Sequence, residues 1–393
     1  MNKEVKIFKI QNYDYFRCTA DKCKFTCCSG WDVNIDNNTY IKWKNNKKNY
    51  ILQNVIEIIN DDEVEYFINK ETQEKCPFLD NKGLCNIVKN DGEECLSLTC
   101  KKFPRIENVL EGRKEITLSC ACPEVVENIS KLKGKIKMIS SDNKIIEEKS
   151  TMYKVRELLI YIIQEKKLSL DDKLILCFDI LINMLSNDIS KNQILKEYKS
   201  DKYISNVLRA FSEIEFNIEE AIEELNYLFL DITENYKDVE GLENSLREIY
   251  KFSESKKDKN YINKWIIYKK TFEQYNELIE NCIVSKILSE CTSEDFQELA
   301  LSFQLIILEY LLMRYTVFLK YYTNNKNEIS IEDIKEYIVV FSRVISNNSE
   351  AVLEFLEDGF GKAILDIGYI KLIIAGNVTA YNERLNNFPY SIF

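Results

Sequence analysis

Residues 299–319 read LALSFQLIILEYLLMRYTVFL, and within them Leu301, Leu305, Leu308, Leu312, Tyr315 and Leu319 advance by three or four positions. That spacing marks one face of an α-helix turned toward a core. Gln304, Glu309 and Arg314 interrupt the run, so it falls short of the roughly 18 uninterrupted apolar residues that cross a bilayer. The surroundings extend the helical reading. After Pro123 the next proline is Pro389, and between Gly134 and Gly359 only Gly241 occurs. With the two strongest helix breakers missing, the stretch is expected to be helix after helix. Ser169 with Asp172, Thr292 with Asp295 and Ser330 with Asp333 have the spacing of a capping box, with Asp in place of Glu. About eight to ten helices are expected between residues 150 and 388.

The first third has another character. Ten of the 13 cysteines fall within residues 1–122, and the chain has no histidine. Thiolates are then the soft ligands available, so a metal here would sit in an all-sulfur site or one completed by carboxylate or water. Serine–histidine and cysteine–histidine catalysis are excluded. The start, MNKEVKIFKI, lacks the apolar core of a secretory signal, which points to the cytoplasm, where thiols stay reduced. Metal binding is therefore expected rather than a disulfide framework.

These features predict a mainly α protein. A small irregular cysteine-rich metal-binding domain would cover residues 1–134, a charged linker 135–150 and an all-α domain 151–393. Residues 1–134 hold 21 basic and 21 acidic side chains, and residues 135–393 hold 32 and 43, so the net charge of −11 belongs to the helical part. An acidic surface repels phosphate backbones, which counts against nucleic acid as a partner; nor is a membrane expected.

The cysteine pattern begins as C-x4-C-x3-C-C at Cys18, Cys23, Cys27 and Cys28, followed by Gly30-Trp31. It is neither the paired C-x2-C of zinc ribbons nor the C-x3-C-x2-C of a radical S-adenosylmethionine cluster. Adjacent Cys27 and Cys28 do not readily ligate one ion together. They suit two different metal atoms, or one ligates while the other packs, which favours a cluster or more than one metal over a single zinc.

Tyr15-Phe16-Arg17-Cys18, Cys27-Cys28-Ser29-Gly30-Trp31, Cys76-Pro77-Phe78-Leu79, Gly83-Leu84-Cys85, Cys100-Lys101-Lys102-Phe103-Pro104-Arg105 and Leu118-Ser119-Cys120-Ala121-Cys122-Pro123-Glu124 follow in order. With Glu280-Asn281-Cys282-Ile283-Val284 and Phe341-Ser342-Arg343, this set resembles the flagellin lysine-N-methylase (FliB-type) family, whose N-terminal part is a zinc- or iron-chelating cysteine domain. The resemblance places metal ligands at Cys18, Cys23, Cys27, Cys28, Cys76, Cys85, Cys100 and Cys122. Cys95 and Cys120 stand outside the pattern, and Cys177, Cys282 and Cys291 suit packing in helices. It implies a [4Fe–4S] cluster, with zinc as the alternative, and methyl transfer from S-adenosylmethionine to flagellin lysines. Arg105, near Cys100, is the candidate to engage a carboxylate of the methyl donor or of the protein itself. The competing reading is a non-enzymatic metal- or cluster-binding module, such as an iron carrier or sensor.

Nucleotide-fold methyltransferases carry an acidic residue and a glycine-rich turn after their first strand. Glu357-Asp358-Gly359-Phe360-Gly361 is the candidate here, but it follows a helical pattern and leaves too little chain for an alternating α/β sheet. Gly359 reads better as a helix C-cap.

Overall fold

The computed structural model describes residues 6–60, 63–70, 75–110, 112–140, 150–186, 189–214, 216–255, 260–323, 328–360 and 364–375. From Thr151 to Ala375 the described residues form twelve α-helices, and the protein is mainly α. The count exceeds the expectation because Lys191–Glu197 and Asp201–Ser212 start on Ser190 and Ser200 caps, which carry no Asp three positions later. Ser169 caps Leu170–Leu185 by accepting Asp172 N–H, and Ser330 caps Ile331–Val344 by accepting Glu332 N–H. The third start moves. Asp295, rather than Thr292, accepts the N–H groups of Gln297 and Glu298 at 2.7 and 3.0 Å, so Phe296–Thr323 begins there.

Phe296–Thr323 is the axis of the fold. It is buried on every side from Phe303 to Leu319, not along one stripe, and Leu301 is half-buried. Helices Leu170–Leu185, Ile218–Thr233, Glu243–Glu254, Tyr261–Phe272, Asn276–Glu290 and Ile331–Val344 pack around it. Its length and composition would suit a membrane span, yet most of it is covered by protein. Each interrupting polar residue has a partner. Gln304 accepts Leu365 N–H at 2.9 Å, Glu309 meets Lys286 at 2.5 Å, and Arg314 meets Asp171 at 2.6 Å. A helix buried all round needs such pairs, because an unpaired interior charge is costly.

The first third contains two sheets that the cysteine pattern did not disclose. Strands β1 (Lys6–Ile10), β2 (Asn34–Ile35), β3 (Val55–Asn60), β4 (Glu63–Ile68), β5 (Arg105–Leu110), β6 (Arg113–Leu118) and β7 (Met138–Ser140) form sheets of order β5-β6-β1-β7 and β2-β4-β3. β1 runs parallel to β6 with Lys6 opposite Arg113, and antiparallel to β7. Residues 135–140, the start of the charged segment, thus contribute a strand, and Ile136 is buried. Residues 141–149 lie outside the described residues.

Two apolar cores follow. Ile10, Phe16, Phe25, Leu118, Cys120, Cys122, Val125, Val126 and Ile129 join the helical core, whereas Val33, Ile35, Trp43, Ile51, Cys76, Phe78 and Cys95 form a second. The main sheet lies on Asn276–Glu290: Ser285 Oγ donates to Leu118 O at 3.4 Å, and Asn108 Nδ2 donates to Ser289 O at 3.0 Å. On β6, Glu115 accepts from Arg156 Nη2 at 2.6 Å and from Arg113, a buried charge group that ties the sheet to Thr151–Glu165.

Candidate metal centre

The cysteine segments are turns and short helices fixed by backbone bonds. Cys23 closes a 3-10 turn with its N–H on Ala20 O at 3.1 Å, and its thiol donates to Phe25 O at 2.7 Å. Beyond Cys27 and Cys28 the chain reverses at Gly30, whose φ of +80° disfavours a side chain; a Cβ there would also touch Leu242 at 3.4 Å. Cys76 N–H donates to Cys28 O at 3.1 Å, bringing the second cysteine segment onto the first. The loop from Cys76 to Cys85 turns about Asp80, which accepts Lys82 and Leu84 N–H at 2.8 and 2.9 Å. Its ion pair with Lys89, with those N–H groups, holds the Asp80 carboxyl down at about 2. Cys85 begins Asn86–Asp91, Cys100 N–H donates to Ser97 Oγ at 3.3 Å, and Cys122 begins Pro123–Ser130.

Tertiary folding gathers five more of the eight pattern cysteines around the Cys27–Cys28 pair, whose sulfurs are 4.0 Å apart. On one side Cys28 contacts the Cys76 thiol, with Cys100 and Cys85 as the next neighbours. On the other, Cys27 faces Cys23, which faces Cys122, and Arg343 stands beside all three. Cys18 lies apart: it is exposed, and its sulfur accepts Ala20 N–H at 3.4 Å.

The thiols form a graded chain. The hydrogen bond to Cys28, together with burial, drives the Cys27 thiol well up. Cys28 receives that bond, which lowers it, but its own bond to Cys76 and its burial prevail and push it up to about 12. Cys76, accepting from Cys28, is lowered. Burial raises Cys23 and Cys100, and takes Cys122 to about 12. Two cations border the group. Lys70 donates to Trp31 O, and burial lowers its pKa. Arg343 is 2% exposed.

In donor chemistry this set fits a soft metal or an iron–sulfur cluster, with sulfur throughout and histidine nowhere. Among the described residues, no three Cys, Asp or Glu side chains converge closely enough to hold a single ion.

The other singled-out residues have different surroundings. Arg105 lies over the rings of Phe16 and Tyr13, at 5.2 and 6.0 Å, and has no carboxylate partner among the described residues. Cys95 is buried in the second core, while Cys177, Cys282 and Cys291 are buried in the helical one. Cys120 touches the Cys282 thiol, which lowers its pKa. Glu357, Asp358 and Gly359 lie inside helix Ser349–Phe360, so Gly359 belongs to its last turn rather than its C-cap. Gly361 lies outside the described residues.

A second polar centre, absent from the sequence reading, adjoins a cavity of about 20 Å³ lined by Cys282, Lys286, Glu309, Tyr310, Met313 and Ile338. Lys286 Nζ lies 2.5 Å from Glu309 and 3.5 Å from Glu290, and Ser346 links both carboxylates. Two carboxylates share one ammonium. Lys286 is consequently held charged, and burial raises Glu309 to about 7. Its sequence signal was Glu309 inside an apolar run.

Together these features define a mainly helical protein with a group of thiols where its helices meet a small sheet-bearing part. The sequence model of the FliB lysine N-methylase C-terminal domain matches residues 156–373. The chain belongs to that family. It is 30% identical over 132 residues to proteins named lysine-N-methylase from Salmonella choleraesuis and Salmonella typhimurium, a match covering 32% of this chain and 33% of each relative. The flagellar biosynthetic protein FliU of Salmonella muenchen is 30% identical over 132 residues, 78% of its length. The chain thus spans about a third of the length of the lysine-N-methylases it matches. No solved structure matches it.

Proposed function

We propose that this protein is a cytoplasmic S-adenosylmethionine-dependent lysine N-methyltransferase acting on flagellin. Its group of thiols would hold a [4Fe–4S] cluster on four of Cys23, Cys27, Cys28, Cys76, Cys85, Cys100 and Cys122. The observation that carries the activity is the family match across residues 156–373, and the relatives' names supply the lysine and the flagellar context. The cluster reading is supported by the all-thiol donor set and by the gathering of these cysteines about Cys27 and Cys28. Such a cluster supplies a rigid, charged tie between loops and a store for an electron.

The reaction is a direct displacement. The lysine Nζ forms a bond to the donor's methyl carbon, the carbon–sulfur bond breaks with its electron pair going to sulfur, and the amine gives up one proton. Only a neutral amine can attack, and with a reference pKa of about 10.4 roughly one in a few thousand is neutral at pH 7. The task of the chain's own residues is to strip water from the amine and take that proton, which an apolar seam favours by lowering the amine's pKa.

Mass spectrometry of flagellin incubated with the anaerobically prepared full chain and S-adenosylmethionine tests the proposal. One or more methyl groups per modified lysine are expected. A second reading, a metal- or cluster-binding module without methyl transfer, is favoured by the helical conformation of Glu357–Gly359, which leaves no glycine-rich donor turn there. Protein with intact metal that adds no methyl group to several flagellins would establish that reading instead.

A further inference from the structure

Arg343 comes from helix Ile331–Val344 but makes its bonds in the cysteine-rich part. Its Nε donates to Ala121 O at 2.9 Å, and its two Nη groups donate to Thr26 O at 2.6 Å and Phe25 O at 3.5 Å. The Thr26 and Ala121 carbonyls immediately precede Cys27 and Cys122. Phe25 O also receives the Cys23 thiol, and the Phe25 ring lies 5.3 Å from the guanidinium. One planar fork thereby joins two cysteine segments that lie far apart in the chain.

The charge is the unusual part. Arg343 is buried, and no carboxylate pairs with it among the described residues. Its electrostatic neighbours are the thiols of Cys23, Cys27, Cys122 and Cys28. A buried guanidinium facing only neutral groups would be strongly unfavourable. Carbonyl dipoles offset part of that cost, and thiolates would offset the rest. The other buried arginines contrast with it: Arg314 faces Asp171, and Arg113 and Arg156 share Glu115.

We infer that Arg343 is the positioning residue and fixed counter-charge of the metal–thiolate centre, with its fork aligning the Cys23–Cys28 and Cys120–Cys122 segments and its charge balancing their thiolates. The inference rests on the thiolate-metal part of the proposed function and is independent of methyl transfer. Partners just outside a metal's ligands typically change affinity by about 10–100-fold when removed.

The test is anaerobic titration of the reduced, metal-free full chain with cobalt(II), following the thiolate-to-cobalt absorption, for the native protein, R343K, R343M and N348A. Asn348 is the uncharged control. From the adjoining turn it donates to Gly30 O at 3.2 Å, a comparable tie between helix and cysteine loop. R343M should bind cobalt about 10–100-fold more weakly and with altered absorption, while N348A should match the native protein. R343K keeps the charge without the fork, and should fall between them. If R343M does not fold, R343K decides: affinity within about tenfold of native supports the counter-charge, and complete loss of binding refutes it. Native affinity and spectrum in R343M, or equal weakening in N348A and R343M, would overturn the role of Arg343 while leaving the metal site standing. A native chain that binds neither cobalt nor iron would sink the metal reading and this inference together.

Discussion

Cys27 and Cys28 adjoin in sequence, yet Cys28 contacts Cys76 on one side while Cys27 faces Cys23 and Arg343 on the other. The two sulfurs meet at 4.0 Å, and each has a further thiol neighbour of its own, Cys76 for Cys28 and Cys23 for Cys27. Cys28→Ser should therefore release metal, because a hydroxyl is a poor ligand for a soft ion. Cys282→Ala, in the helical core beside Cys120, should keep the metal and lose only about 0.5–3 kcal/mol of stability. Metal content per chain and a urea midpoint on the same preparations check both expectations; similar metal loss in the two variants would contradict the division. The residue types were legible in the sequence as soft donors available to a metal. The grouping of Cys28 with Cys76 and of Cys23 with Cys122 was not, because turns and sheet pairing set it rather than spacing.

At the scale of elements, Phe296–Thr323 determines where charge can sit inside the molecule. Glu309 is raised by burial to about 7 from 4.5, opposed by Lys286, which lies 2.5 Å away. Between those pH values the folded state holds more protons than the unfolded chain, so this group's contribution makes stability fall as pH rises from about 4.5 to 7 and level beyond. Glu309→Gln removes the titration. Relative to the native protein, the variant should gain up to about 1.4 kcal/mol per pH unit across that window. Urea unfolding at pH 5, 6, 7 and 8 measures the difference; a constant difference would show that Glu309 does not titrate there. Helix existence was readable from the missing Pro and Gly and from the serine starts at Ser169 and Ser330. Burial of the axis on all faces was not, because it depends on six neighbouring helices whose arrangement no local pattern carries. β1 was missed for a related reason: it pairs in parallel with β6 across more than a hundred residues.

At the scale of the whole molecule, the cysteine-rich third and the helices are bound together at many points. Asn281 bonds Gly134 O and Ile136 N–H at 2.9 Å each, Lys335 pairs with Glu127 at 2.6 Å, and Lys75 pairs with Glu240 at 2.6 Å. Val125, Val126 and Ile129 are buried in the helical core. Cutting the chain after residue 134 would strip β7 from the sheet and expose these side chains, each worth roughly 1.5–3 kcal/mol when fully buried. A 1–134 fragment is thus expected to be aggregation-prone and readily digested, even with metal supplied. Limited proteolysis and size-exclusion chromatography test this, and a compact, protease-resistant monomer would disprove it.

By itself the sequence determined the helical class, because Pro and Gly act on the backbone where they stand, and their absence needs no partner to take effect. It determined the donor chemistry equally firmly, since a chain without histidine offers sulfur and oxygen alone to a metal. Tertiary structure alone decided which thiols meet, that Arg343 reaches across from the last third of the chain to Thr26 and Ala121, and that Lys286 takes two carboxylates. Those are pairings between distant residues. They are selected by the cost of leaving charge and polar backbone unpaired in a low-dielectric interior, a cost that arises only once the chain has closed around them.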